Sequence, residues 1–479
     1  MLPGCLALTG DSTRSKPVAT QKEARSLMSD LSPLAGSIRA DQLNGGCFCV
    51  GVDQAALAAA LDRETDIPGF AGDLAKTHPW LFARSPVFLP AETLGRMMDV
   101  VAAAETAVVL PAYREAALAW TPPLARRDPG PLGAFMGYDF HVTPVGPKLI
   151  EINTNAGGAF LNAVLARSQQ ACCAGVVAGF ETPGPATFQQ HVGEMFRNEW
   201  RLQNGKGTPE TFAILDDDPL AQALYPEFRL AQTQLRAVGF EALIGDPRDL
   251  KLEGDVLTLG GVRVDIVYNR LVDFLLEEPT HAVLRQAYER DLVVVTPNPH
   301  IYSRLADKHN LTLLSDPERL CRWGLAANHA AVLAAAVPRT VLVRSKNAAE
   351  LWADRRNWFF KPVRGHASKA AYRGAKLTRR VWEEIKASAY VAQAYAAPGQ
   401  RRIQPDEAPV SLKVDVRVYT YGGRILLAAA RLYQGQTTNM RTPGGGFAPV
   451  LVLPAVVVDT DPCAGAGTSS TGTACHDRW

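Results

Sequence analysis

The sequence predicts an α/β protein in which a doubly wound parallel sheet lies between hairpin-rich segments and a helical N-terminal region. Three observations predict it. Strand and helix patterns alternate from Thr211 to Val295, with polar residues where the strands end. Apolar–polar alternation around Gly and Pro turns marks hairpins at 137–158 and 412–430. Helical spacing and many alanines dominate 53–125. We divide the chain into a mostly helical region 1–130, a hairpin segment 131–205, an α/β unit 206–302, a second α/β unit 303–455 and a low-complexity tail 456–479 expected to be disordered.

Composition narrows the function. The 479 residues suffice for about two to four packed units, and 47% hydrophobic with 20% charged residues is ordinary for a globular protein. A net charge of +2 gives no electrostatic case for nucleic acid or an anionic membrane. No apolar run reaches the ~18 residues of a membrane span. The opening MLPGCLALTGDSTRSK lacks a basic region before a short apolar run, so no signal peptide is expected. None of the eight cysteines forms a C-x-x-C pair, and Cys172-Cys173 reads as helix core. That pattern fits a reducing cytoplasm.

In chain order, Ala91–Ala119 has apolar residues at helical spacing and reads as scaffold. Next comes Gly137–Gly158, GYDFHVTPVGPKLIEINTNAGG, two short strands around a Pro-Val-Gly-Pro turn. Alternation puts Glu151 and Asn153 on one face. With a three- or five-residue connection Asp139 joins them, as does His141 if its strand is regular. Two carboxylates and an amide suit Mg²⁺, which fills its shell with substrate phosphates; a solvated hairpin edge gives the same pattern. Ala159–Phe180 and Phe188–Gln203 read as helices.

Phe212–Leu215, Phe240–Ile244 and Val264–Asn269 are strands of the α/β unit, and Leu292–Val295 adds another. Ligands in such sheets gather at the carboxyl ends of strands, where Arg270 sits; a surface salt bridge is the other reading. Trp358–Pro362 is an apolar strand that delivers Lys361. It leads into the basic loop holding Arg364, His366, Lys369 and Arg373, the makings of a polyphosphate grip or simply a strand terminus and its loop. The pattern is not a Walker loop. Tyr390–Tyr395 is a short strand. Asp415, Arg417 and Tyr419 share a face of the strand 412–421. After it come Arg431, Asn439, Arg441 and Gly444-Gly445-Gly446, a costly arrangement to order because glycine loses the most backbone freedom.

Taken in order, these pieces resemble the ATP-grasp ligases. The resemblance rests on a lysine near a helix start (Lys308), Val337-Pro338-Arg339-Thr340, Lys361-Pro362, the hinge-like Gln393–Tyr395, Asp415-Val416-Arg417-Val418 and Arg431…Asn439…Gly444-Gly445. The expected terminal E-x-N is missing there, and its match is Glu151-Ile152-Asn153, far upstream. That order is similar to the circularly permuted, eukaryotic-type glutathione synthetases, with their I-E-I-N-T stretch early and R-T…G-G at the end. Val267-Tyr268-Asn269-Arg270 is similar to their substrate-domain strand. Gly365 departs from the pattern, standing where those enzymes carry a glutamate near the metal.

The resemblance implies ATP and Mg²⁺ as cofactors and small-molecule carboxylate and amine substrates, joined into an amide through an acyl phosphate. Lys308, Lys361, Arg364, Lys369, Gln393, Tyr395 and Asp415 would bind the nucleotide. Asp139, Glu151 and Asn153 would hold the metal. Arg431, Arg441 and Asn439 would be catalytic, while Arg270 and the lid-forming Gly444, Gly445 and Gly446 would bind substrate. Related ligases are often dimers, so a homodimer is an expectation by analogy. A kinase on the same fold and a non-catalytic nucleotide-binding protein are the alternatives.

Overall fold

The computed structural model describes residues 38–48, 50–171, 185–365, 370–404 and 408–454. Its largest sheet draws strands from three distant parts of the chain. Across it lie Val87–Pro90, Gly446–Leu453, Arg424–Tyr433, Val410–Tyr421, Met136–Thr143 and Gly146–Asn153, and Gly399–Ile403 also pairs with Val410–Tyr421. Only the edge strand Val87–Pro90 runs parallel to its neighbour. The early hairpin therefore sits beside the late one, with Asp139 directly opposite Arg417. One face buries Tyr138, Phe140, Val416 and Val418 against the helix Ala91–Val108. The other packs Tyr419, Leu427 and Phe447 against the helix Ala159–Arg167.

The alternation read from Thr211 to Val295 folds as a parallel sheet in the order Val294–Thr296, Ile266–Asn269, Thr211–Leu215, Glu241–Gly245. Helices Pro185–Asn204 and Tyr225–Ala237 cover one face, and Ala282–Glu289 covers the other. A third, antiparallel sheet holds Thr340–Leu342, Tyr390–Ala394, Trp358–Pro362 and Tyr372–Arg373. Trp358, Phe360 and Ala392 face the core with Trp382 and Ile385. Lys361 and Gln393, out of phase with them, take the opposite face.

Two sequence expectations change. The region before residue 130 is not helix alone, because Val87–Pro90 closes an edge of the main sheet. It is also sewn in by the fully buried Arg401, which donates to the carbonyls of Leu43, Asn44, Cys47 and Pro86. The helix expected over Ala159–Phe180 stops at Arg167, since Gln169–Ala171 pairs with Val50–Val52 and tertiary pairing overrides alanine propensity. Cys172, Cys173 and the tail 456–479 lie outside the described residues. Among the described residues no helix is long and apolar enough to cross a membrane.

Candidate active site

The hairpin reaches its geometry by a different route from the expected one. Its connection is a two-residue turn, Thr143 pairing with Gly146. A plain ladder from that turn would set Asp139 opposite Ile150 and on the wrong face. A register shift between Asp139 and Phe140 leaves Ile150 unpaired and brings Asp139 opposite Glu151. The carbonyl of the extra residue is then free to accept from Lys361 Nζ at 2.7 Å. Looping Ile150 out of the ladder thus keeps the acidic pair aligned and ties the hairpin to the lysine-bearing strand.

Asp139 is 1% exposed and takes up two guanidinium groups. Arg417 Nε and Nη2 donate to its two oxygens at 2.6 and 2.7 Å, and Arg431 Nη2 donates at 2.8 Å. Asn153 Nδ2 adds a fourth donor at 3.0 Å. Burial alone would raise the Asp139 pKa, but Arg417 and then Arg431 hold it at about 2. Arg431 also donates to Asp415 at 2.6 Å, and Asp415 accepts from Thr438 Oγ1 at 2.7 Å. Burial would lower the Arg431 pKa, and the two carboxylates hold it well above its ordinary value.

Two lysines meet beside Glu151. Lys308 Nζ lies 2.8 Å from Glu151 Oε1 and donates to Gly365 O at 3.1 Å. Lys361 also donates to Gln393 Oε1 at 2.9 Å. Burial pushes the Lys361 pKa down to about 8, opposed by the charge on Glu151. Burial would raise Glu151, but Lys308 and Lys361 hold it below the ordinary carboxylate range.

These groups line one cavity of about 530 Å³. Asp139, Glu151 and Asn153 form a wall of it with Lys308 and Lys361. Gln393 and Tyr395 line it from the small sheet, and Arg431, Asn439 and Arg441 from the main sheet and the segment after it. Arg441 lies over the Trp80 ring, 4.9 Å from its centroid. Arg270 comes from the parallel sheet, 7% exposed and without an ion pair among the described residues; its Nε is buried and unpartnered. Asp216, across from it at the next strand end, also lines the cavity. Burial raises the Asp216 pKa to about 7 against the pull of Arg270.

Several expectations fail on contact. Asp139 is no open metal ligand, because its oxygens are occupied by Arg417, Arg431 and Asn153. Asp415 does not line the cavity and braces Arg431 instead. Arg364 turns away to the Trp120 carbonyl at 2.9 Å and to Asp307. Gly444, Gly445 and Gly446 form no lid at the cavity. A Cβ on Gly445 would stand 2.7 Å from Leu432 O, and one on Gly446 2.8 Å from Ala83 N and Trp80 O. These glycines let backbone pack on backbone. Lys369 and His366 lie outside the described residues.

Arg417 and Lys413 line the cavity without having been predicted as site residues, and Arg373, read only as one of the bases in the loop after Lys361, lines it too. Residues 413, 415, 417 and 419 share one strand face, so the alternation that marked Asp415 also carried Lys413 and Arg417. Arg373 stacks on Tyr395 at 4.4 Å from the ring centroid. No sequence signal separated it from the other bases of its loop.

Among the described residues no group of three His, Cys, Asp or Glu converges as a metal site. Glu151 and Asn153 still fit a Mg²⁺ that draws most of its shell from phosphates. The Asn153 amide nitrogen is held by Asp139, which leaves its oxygen as the available donor atom.

The rim of the parallel sheet carries a second charged contact. His281 is fully buried, with Nδ1 2.7 Å from Asp273 Oδ2 and Nε2 2.9 Å from Asp217 Oδ1. Both ring nitrogens face acceptors, so the imidazolium satisfies them best. Burial would lower its pKa, but Asp273 and Asp217 raise it overall. A raised folded pKa stabilises fully below the unfolded value of about 6.5 and is lost as pH climbs through the folded value. Urea unfolding from pH 6 to 9 is therefore expected to show a stability loss above pH 6.5 that His281→Asn removes. An unchanged pH profile in that variant would refute this assignment.

No protein-family model and no curated protein matches the chain. Solved structures do. A glutathione synthetase-like effector from Globodera pallida in its apo form is 14% identical, with a TM-score of 0.51 over 84% of this chain and 98% of that one. A putative gamma-glutamylcysteine synthetase from Methylobacillus flagellatus is 10% identical, with a TM-score of 0.43 over 75% of this chain and 87% of that one. The ATP-grasp ligase PsnB with its minimal precursor is 16% identical, with a TM-score of 0.29 over 48% of this chain and 75% of that one. The first of these likenesses, spanning nearly the whole of the effector, shows that this chain has the fold of that glutathione synthetase-like effector.

Proposed function

We propose that the protein is an ATP-dependent carboxylate–amine ligase that uses Mg²⁺, with its strand order a circular permutation of the ATP-grasp pattern. The observation that carries the reading is the charge of the cavity: eight lysines and arginines line it against three aspartates and glutamates among the described residues. Such a surplus in a half-closed space suits a polyphosphate. Lys308 and Lys361 grip the phosphates, and the small sheet holds the base at Gln393 and Tyr395. Glu151 and Asn153 would hold Mg²⁺, which when bound neutralises charge on the transferring phosphoryl group.

Arg431 and Arg441 orient the substrate carboxylate, whose oxygen attacks the γ-phosphorus as ADP leaves. The amine nitrogen then attacks the acyl carbon, the carbon–oxygen bond to phosphate breaks, and phosphate departs. The proton released by the amine has an acceptor in Asp216, which lines the same cavity and whose pKa burial raises to about 7. Arg270 beside it, which donates to the Asn155 carbonyl and the Tyr268 hydroxyl but has no ion pair among the described residues, holds a substrate anion.

The test is Mg-ATP turnover with pooled carboxylates and amines, read by ADP release and mass spectrometry of the product. The expected result is ADP release that needs both an acid and an amine and yields their amide. Release with one hydroxyl acceptor alone would make the protein a kinase, and no release from any pool would overturn the reading.

A further inference from the structure

Among the described residues before 130, Trp80 is the one that lines the cavity. It is half-buried, and the Arg441 guanidinium lies over its ring, 4.9 Å from the centroid. The backbone behind the indole is clamped. Phe447 N donates to Leu81 O and Ala83 N donates to Phe447 O, both at 2.8 Å. Gly446 packs so closely on Trp80 O that a Cβ there would stand 2.8 Å from it. The His78 ring tilts against the indole at 5.6 Å.

The cavity arginines of the main sheet and of the segment after it are held in two ways. Carboxylates hold Arg417 and Arg431, and in doing so they neutralise them. Arg441 is exposed, and among the described residues its side chain makes no ion pair and no hydrogen bond. Its backbone N–H donates to Asn439 Oδ1 at 3.1 Å. What meets its guanidinium is the face of the indole, which attracts a cation through its quadrupole yet carries no counter-charge. The positive charge therefore stays available to an anion in the cavity.

We propose that Trp80 is a positioning residue that keeps Arg441 at the cavity wall without neutralising it, so that the N-terminal region completes the site. The inference rests on the ligase reading, in which Arg441 orients the substrate carboxylate. The competing role is packing alone, because the ring also lies against the core that contains Phe447.

The experiment measures ADP release with Mg-ATP and graded amounts of the pooled carboxylates and amines, with the KM for ATP determined in parallel. Trp80→Leu removes the π face and is expected to lower kcat/KM for the pool about tenfold, with the ATP KM held within about twofold. Trp80→Phe keeps an aromatic face and should stay within about threefold of the wild type. Combined with Arg441→Gln, Trp80→Leu should add less than about a further twofold, because the group it positions is already gone. Trp80→Met fills the space without a π face and decides the matter if circular dichroism shows the leucine variant unfolded. The same tenfold loss with and without Arg441, or an equal rise in the ATP KM, would make the indole a structural prop and overturn the assignment. So would a leucine variant as active as the wild type. A wild type that releases no ADP from any pool would instead sink the ligase reading and this inference with it, an outcome distinct from an active enzyme that ignores Trp80.

Discussion

Asp139→Ala is expected to destabilise the protein by about 3–5 kcal/mol, the usual cost of breaking a buried ion pair from one side. The aspartate side chain is 2% exposed and neutralises Arg417 and Arg431, themselves 9% and 15% exposed. Its removal leaves Arg417 without a carboxylate and Arg431 with Asp415 alone. Urea unfolding measures the loss, and a change below about 1 kcal/mol would show that the arginines find other partners. The pH dependence has a definite sign. A carboxylate held at about pKa 2 contributes stability that is present above about pH 4 and drains away as pH falls through the folded value. Acid unfolding of the wild type should therefore contain a component that the alanine variant lacks.

Glu151→Gln is expected to act on chemistry and leave stability nearly alone. The substitution preserves shape, and Lys308 keeps its hydrogen bond to the Gly365 carbonyl. Lost is the charge of a carboxylate that lines the cavity beside both lysines, with Oε1 on Lys308, and that would face a bound cation. Turnover of Mg-ATP should fall on the order of 10²–10³-fold, the scale of removing one well-placed electrostatic group from an active site. Unfolding free energy should move by less than about 1 kcal/mol. An active variant would remove Glu151 from the metal site, and an unfolded one would make its pairing with Lys308 structural.

The two aspartate and glutamate positions also show what the sequence could convey. Glu151 and Asn153 were legible because strand alternation assigns faces locally, Lys361 because it ends an apolar strand, and Gln393 only through the motifs that carry the resemblance; all four line the cavity. The sheet joining residues 136–153 to 410–433 was legible only through the order of motifs. The partners of Asp139 were not, since cross-strand pairing with Arg417 and Arg431 depends on a register no local pattern specifies. Gly445 and Gly446 misled for a related reason: glycine signals a special backbone equally for a mobile loop and for two chains in close contact. Val87–Pro90 is a four-residue apolar run, buried throughout and without the alternation that would mark it as a strand among the helices around it.

The unpaired Ile150 has a consequence for comparing sequences. It is a spacer outside the count of the ladder: remove that one residue and Glu151 follows Leu149 directly, so a plain ladder still sets Asp139 opposite Glu151, and what goes is the carbonyl that receives Lys361. A single-residue gap here between two otherwise alignable chains should therefore be read as keeping the acidic pair and losing its tie to the lysine-bearing strand, whereas a gap at the Pro144-Val145 tip shortens the two-residue turn on which the whole register is counted.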